Sequence, residues 1–286
     1  MSNEHKARPR IGYMCSYVPV NLLRKCGLDM VNLYDFCKAN GSINRLPVNL
    51  CGYSLHCAQI ICEAQLNGII VTNCCNSMQR LFDYIILTKP DIFCYMLELP
   101  RDDNYYETSY FGEQVKDLIN KIKNCFVLEQ DILMDQDNCI IEQSEIYVLG
   151  SAISADIRER LGFYLENYDI FINHCGVKGN GDLLIQRYLT NGTYGGMEYP
   201  CARMNYFTYW FKNCLNENSR LKGVVYLSTQ NCDNHLFNFP MVKALCAANR
   251  IPVIGLEMDY GAKSLGQFAT RMEAFVECIT MISPSG

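Results

Sequence analysis

Short apolar runs alternate along the chain with longer segments of helical period, the pattern of parallel strands joined by crossover helices. Eight runs rich in Val, Ile and Tyr read as strands: Ile11 to Met14, Met30 to Leu33, Gly68 to Asn73, Ile92 to Leu97, Glu145 to Leu149, Asp169 to Asn173, Gly223 to Ser228, and Pro252 to Glu257. Between Ser54, taken as an N-cap, and Leu66, the residues Leu55, Ile60, Ile61 and Ala64 recur on one face. Ser77 to Leu87 repeats this with Met78, Leu81, Phe82 and Ile85. Both read as crossover helices. The stretch Val127 to Ser144, with Glu129 to Asp131 and Asp135 to Asn138, is the most polar away from the ends. It divides two similar βαβα series into expected domains 1–135 and 136–286, a structural duplication without a visible residue-level repeat. The expected fold is α/β, two doubly wound (Rossmann/flavodoxin-like) parallel-sheet domains.

Composition narrows the function. The chain has 286 residues, 49% of them hydrophobic, and a net charge of −5 from 25 Lys+Arg against 30 Asp+Glu. Disorder and an obvious polyanion partner such as nucleic acid are excluded on these grounds. At roughly 100 to 200 residues per domain, the length suits two domains that need no disulfide staples. Met1 to Arg10 is charged, the apolar stretch after it is broken by Pro19, and no apolar run approaches the roughly 20 residues of a membrane span. The expectation is a soluble protein of a reducing, cytoplasmic compartment.

The 17 Cys change the picture. In open parallel sheets ligands collect at the carboxyl ends of the strands, and several cysteines fall there. Cys15 follows the first strand, Cys74 and Cys75 the third, Cys175 the sixth and Cys232 the seventh, while Cys51 precedes the helix expected near Ser54. Cys62, Cys94, Cys214, Cys246 and Cys278 stand among apolar residues and read as small core residues. A thiolate beside a helix N-terminus has a lowered pKa and suits iron or zinc. No Cys-x2-Cys pair occurs, so zinc-ribbon and ferredoxin spacings are absent. Ligands supplied singly by separate loops would build a cluster in a cleft between the domains; the competing reading is a cysteine-rich core.

Seven motifs in order bear on that choice. They are Ile11-Gly-Tyr-Met-Cys15-Ser-Tyr-Val-Pro19, Leu46-Pro-Val-Asn-Leu-Cys51, Thr72-Asn-Cys-Cys75-Asn-Ser-Met-Gln-Arg-Leu81 and Leu97-Glu-Leu-Pro100-Arg101, then Gln230-Asn-Cys232-Asp233, Ile254-Gly-Leu-Glu257-Met-Asp259-Tyr260 and Gly266-Gln-Phe-Ala-Thr270-Arg271-Met-Glu-Ala-Phe275. Together they resemble the 2-hydroxyacyl-CoA dehydratase family, which also holds benzoyl-CoA reductase subunits and double-cubane cluster proteins. The resemblance implies an oxygen-sensitive 4Fe-4S cluster on Cys51, Cys75 and Cys232, Cys74 occupying a position that is not a ligand. It also implies a substrate-side hydroxyl at Ser16, a homo- or heterodimer with a related subunit, an ATP-dependent iron-sulfur activator, and ketyl-radical chemistry on an acyl-CoA thioester. Val20-Asn21 stands where the family is usually acidic, and Asn76 and Gln79 replace an acidic and a basic residue. These departures lie on the substrate side and bear on the substrate more than on the cluster. The alternative is a double-cubane 8Fe-9S cluster completed by Cys15, Cys175 and Cys201, in a reductase of small molecules. A non-catalytic cluster-carrying or structural subunit is the third reading.

Other features carry less. Ser16 also reads as a helix cap. His174 and His235 adjoin strand-end cysteines and suit tuning or proton shuttling, although a satisfied hydrogen bond is the commoner state of a lone His; His56 falls on a helix face. Gly176-Val-Lys178-Gly179-Asn-Gly181 lacks the Gly-Lys-Ser/Thr ending of a phosphate loop and reads as a turn into a helix. The aromatic run Tyr199 to Phe211 reads as a helix packed into the domain interface.

Overall fold

The computed structural model describes residues 7–33, 50–102, 104–126, 143–175, 179–190, 201–258 and 265–282. The boundary expected within 127–144 lies mostly outside them. All eight expected strands form, each within one or two residues of its expected limits. β1 (Arg10–Tyr13), β2 (Asp29–Asn32), β3 (Gly68–Thr72) and β4 (Phe93–Leu97) make one parallel sheet in the order β2-β1-β3-β4. β5 (Ile146–Gly150), β6 (Ile170–His174), β7 (Gly223–Thr229) and β8 (Val253–Met258) make a second in the order β6-β5-β7-β8. Every strand pair is parallel, and the two sheets share one topology, so the doubly wound α/β expectation holds. Each order reverses between its first and third strands, the place where such sheets open a crevice.

Both faces of both sheets are covered, which is why β3, β5 and β7 are buried from end to end. In β5, Ile146 and Val148 face α5 (Ala155–Tyr164) and α9 (Leu265–Ile282), while Tyr147 and Leu149 face α7 (Phe207–Glu217) and α8 (Asp233–Ala248). In the first sheet, Ile69 and Val71 meet α2 (Gly52–Glu63) and α3 (Asn76–Thr88). On the other side Ile70 meets α1 (Val20–Lys25), α4 (Tyr105–Cys125) and a helix from the second series, α6 (Asn180–Leu189). Leu184 and Ile185 of α6 are buried with Ile11, Leu23 and Phe111, so the first core is completed by the second half of the chain.

Three expectations are corrected. The aromatic helix α7 does not fill the domain interface: Phe207, Trp210 and Phe211 are buried in the second core, at about 2 kcal/mol apiece, while Tyr209 is exposed. Cys62 and Cys278 are exposed, on outward faces of α2 and α9, whereas Cys214 and Cys246 are buried as expected. α2 begins two residues before Ser54, which sits inside its first turn with its hydroxyl donating to the Cys51 carbonyl; the N-cap is Cys51. α6 does begin after Gly179, as a turn into a helix requires, although 176–178 fall outside the described residues. Among the described residues no helix is long and apolar enough to cross a membrane.

Candidate functional site: a thiol-lined cavity

Two kinds of helix start differ in this chain. α4 and α5 begin at Asn104 and Ser154, whose side chains accept from the amides of Glu107 and Ile157. α2, α3 and α8 begin at Cys51, Cys75 and Cys232, none of which closes a side-chain capping bond. Their sulfurs still lie near amides of their own first turns: Ser54 for Cys51, Met78 and Ser77 for Cys75, His235 for Cys232. These amides and the helix dipoles favour a thiolate. The sequence positions Cys75 and Cys232 alike: β3 and β7 both end on Thr, and three residues later comes the cysteine N-cap, as Thr72-Asn-Cys-Cys75 and Thr229-Gln-Asn-Cys232. This is a residue-level echo of the duplicated topology, legible only once the strand ends are known.

The loops at the carboxyl ends of the two sheets line a cavity of about 50 Å³, several times the roughly 10–15 Å³ that one water needs. Cys15, Cys51, Cys74, Cys75, Cys175, Cys201 and Cys232 all line it. The charges of six of them act on one another in two overlapping groups. Charge on any of Cys51, Cys75 and Cys232 opposes ionisation of the other two. The same holds within Cys15, Cys175 and Cys201. The groups are joined, because Cys175 feels Cys232 more than Cys15, Cys175 and Cys15 each feel Cys75, and Cys74 feels both Cys75 and Cys15.

Burial pushes the Cys15 and Cys51 thiols up, Cys201 to about 11 and Cys232 to about 12. Cys175 is raised well above 9 by burial and then by the charge of its four thiol neighbours. Cys75 is the exception, lowered to about 7 chiefly by a hydrogen bond from the Cys74 thiol, against the opposing effect of burial. The same bond raises Cys74.

Hydrogen bonds between the halves fasten the loops that carry these cysteines. The Ser16 amide donates to the Cys175 carbonyl (3.0 Å) and the Gly181 amide to the Ser16 carbonyl (3.0 Å). The Gly52 amide, next to Cys51, donates to the Gln230 carbonyl (3.3 Å), and Asn234 Nδ2 to the Cys74 carbonyl (3.1 Å). Arg203, two residues after Cys201, donates to the carbonyls of Leu99 and Pro100, and its charge favours ionised Cys15 and Cys201. The cysteine sets are therefore held by interlocked loops.

The remaining expected residues are placed as follows. Ser16 lines the cavity, 3% exposed, but its hydroxyl accepts from Asn180 Nδ2 at 3.1 Å and the N-cap of α1 is Pro19. Val20-Asn21 opens α1, and the Asn21 and Leu22 amides donate to the Asp182 carboxylate of α6. Asn76 and Gln79 are exposed on α3. His235 lines the cavity with Nε2 3.1 Å from Cys175 Sγ, and burial lowers its pKa to about 4. His174 instead approaches the Arg158 guanidinium (3.3 Å) and is held down to about 3 by burial and that charge. His56 is buried within α2, away from the cavity. Sequence reasoning missed Arg203, Ser151 and Asn234, and the buried hydroxyls of Thr72 and Thr229, all in the cavity wall. Thr229 Oγ1 and Arg203 Nε have no partner there, and Thr72 Oγ1 closes no bond of full geometry, though it lies near the Cys15 and Cys74 thiols.

Fold and site define a two-sheet α/β protein with a thiol-lined cavity where the strand ends of both sheets meet. The family model described as 2-hydroxyglutaryl-CoA dehydratase, D-component, matches residues 15–131 and 176–279, and the chain belongs to that family, a family of enzyme subunits. Five of the six paired-set cysteines lie within the matched segments, and Cys175 lies one residue outside. None of the curated proteins compared with the chain matches it significantly.

Proposed function

We propose that the cavity holds an iron-sulfur cluster of the double-cubane kind, with Cys51, Cys75 and Cys232 as one set of ligands and Cys15, Cys175 and Cys201 as the other. On this reading the protein is the cluster-carrying subunit of a low-potential reductase acting on small molecules. The observation that carries it is that six thiols supplied by loops of both halves line one cavity and oppose one another's ionisation there. Among the described residues, no three His, Cys, Asp or Glu side chains form a group able to hold a single metal ion. The donors that line the cavity are thiols, the ligand type that iron-sulfur clusters take. Buried thiols that oppose one another's ionisation are what a positively charged metal group neutralises, since binding displaces their protons. The free Thr229 hydroxyl and the free Arg203 Nε–H supply donors that a sulfur-rich anion accepts. When bound, such a cluster supplies one-electron transfer at low potential and an iron that polarises a small ligand.

The chain's own residues have separate tasks on this reading. The N-termini of α2, α3 and α8 favour negative charge on one set of sulfurs, and Arg203 favours it on Cys15 and Cys201. Met14, Tyr53, Met78 and Ala152 add apolar surface to the wall. The electron source implied by the family resemblance is an ATP-hydrolysing iron-sulfur activator, and the assembly a dimer with a related subunit.

A second reading is a single cubane on Cys51, Cys75 and Cys232 in an acyl-CoA dehydratase. The three N-cap positions and the family's name favour it. Against it, the Val20-Asn21 positions are occupied by the α1 start, whose Asn21 and Leu22 amides donate to Asp182. Iron and acid-labile sulfide per chain after anaerobic purification, with an EPR spectrum of the reduced protein, separate the readings. About eight irons support the double cubane, about four the single cubane, and a value near zero overturns both.

A further inference from the structure

Cys175 alone among the cavity thiols is paired with an imidazole, and the imidazole is itself held on its far side. His235 Nε2 lies 3.1 Å from Cys175 Sγ, and His235 Nδ1 lies 3.1 Å from the Tyr226 hydroxyl. Both side chains are buried, at 2% and 1% exposure. The tyrosine is locked by packing. Its ring stacks on Phe239, one turn beyond His235 on α8, with centroids 5.3 Å apart. Phe239 in turn occupies the space over Gly255, the residue paired with Tyr226 on β8, where a Cβ would come within 2.3 Å of the Phe239 ring.

We infer that Tyr226 and His235 are a positioning pair for Cys175, the tyrosine fixing the imidazole proton on Nε2 so that it is donated to the cysteine sulfur. The inference rests on the proposed cluster reading. A metal-bound thiolate has no proton and only accepts. Both 3.1 Å contacts are then hydrogen bonds in one arrangement alone, with the Tyr226 O–H donating to Nδ1 and Nε2–H donating to sulfur. A donor to a ligand sulfur stabilises the added electron of the reduced cluster and raises its potential. No second imidazole lines the cavity among the described residues, so the pair makes the Cys15, Cys175 and Cys201 set unlike the other.

The test compares the wild type with Tyr226→Phe, His235→Leu and His235→Gln after anaerobic loading with iron and sulfide, reading iron per chain and EPR-monitored potentials. Tyr226→Phe and His235→Leu are expected to keep their iron and to move one reduction step to lower potential. His235→Gln, whose side-chain N–H reaches the same sulfur, is expected to return toward the wild type. Unshifted potentials in Tyr226→Phe and His235→Leu with full iron overturn the inference while leaving the cluster reading intact. Should His235→Leu lose iron through misfolding, Tyr226→Phe, which removes one oxygen, decides alone. Should the wild type take up no iron, the cluster reading falls and the inference is overturned with it.

Discussion

The amide of Ser16, just beyond β1, donates to the carbonyl of Cys175, just beyond β6, over 3.0 Å. Through that bond the loop carrying Cys15 is fixed against the loop carrying Cys175, and the Ser16 carbonyl receives the Gly181 amide at the start of α6. The cysteine pair is thus set by backbone geometry between the two halves, before any metal is considered.

Gly181 is where this contact is most easily broken. A Cβ there would lie 2.3 Å from the Tyr17 carbonyl oxygen, a backbone atom with no freedom to move aside. Gly181→Ala is expected to push α6 off the Cys15 turn and lower stability by about 1–3 kcal/mol, read as the urea midpoint. Iron should be lost from the set containing Cys15 and Cys175. An unchanged midpoint would show that loop and helix separate without strain.

The Cys74–Cys75 pair gives opposite expectations for neighbouring residues. Cys75→Ala removes an N-cap sulfur of the first set and should abolish most iron binding, whereas Cys74→Ala should retain it. Because the Cys74 thiol is the main cause of the lowered Cys75 pKa, Cys74→Ala should slow alkylation of Cys75 at pH 7 in iron-free protein. Retained iron in Cys75→Ala would sink the assignment of Cys75 as a ligand.

Thr229→Val separates the iron-free from the loaded state. Thr229 is 1% exposed and its hydroxyl has no partner, so removal of the hydroxyl relieves an unsatisfied buried group. The iron-free variant should be as stable as the wild type or more stable by about 1 kcal/mol. The loaded variant should release iron to a chelator faster. Equal release rates would mean that the hydroxyl is not a donor to the bound group.

The pH dependence of iron-free protein follows from the thiols. Cys201 at about 11 and Cys232 at about 12 hold their protons more tightly folded than unfolded, where the value is near 9. Their contribution is therefore complete below pH 9 and lost as the pH rises from 9 through 11 to 12. Cys75, at about 7, works the other way, contributing above 9 and losing its contribution as the pH falls to 7. The urea midpoint of reduced, iron-free protein should fall between pH 9 and 11. Loading should flatten that slope because metal-bound thiolates no longer titrate; a midpoint rising over this range would contradict the burial of these thiols.

Much of the fold was legible. A parallel strand covered on both faces needs apolar residues at successive positions, so Gly68 to Thr72 and Gly223 to Thr229 announce themselves by composition alone. The start of α2 was misplaced at Ser54 because serine is a preferred N-cap and cysteine is not, and the preference fails where the helix end faces the cavity. Cys62 and Cys278 were misread as core because apolar neighbours in sequence do not say which side of a helix a residue occupies when α2 and α9 are apolar over much of their surface. α6 shows the deeper limit. Leu184 and Ile185 give it an apolar face, but periodicity does not specify which sheet that face covers, and it covers the first.

The sequence by itself determined the eight strands, the doubled parallel topology and the family, because burial on two faces and fixed motifs are written in consecutive residues. It also nominated the six cysteines. Only the tertiary structure decided that Cys15, Cys175 and Cys201 meet Cys51, Cys75 and Cys232 around one cavity, that Ser16 serves the contact between halves, and that His235 rather than His174 faces a thiol. Those outcomes depend on hydrogen bonds between loops well over a hundred residues apart, such as Ser16 to Cys175 and Asn234 to Cys74. Their partners are chosen by how the two sheets dock, a relation that no local pattern of residues encodes.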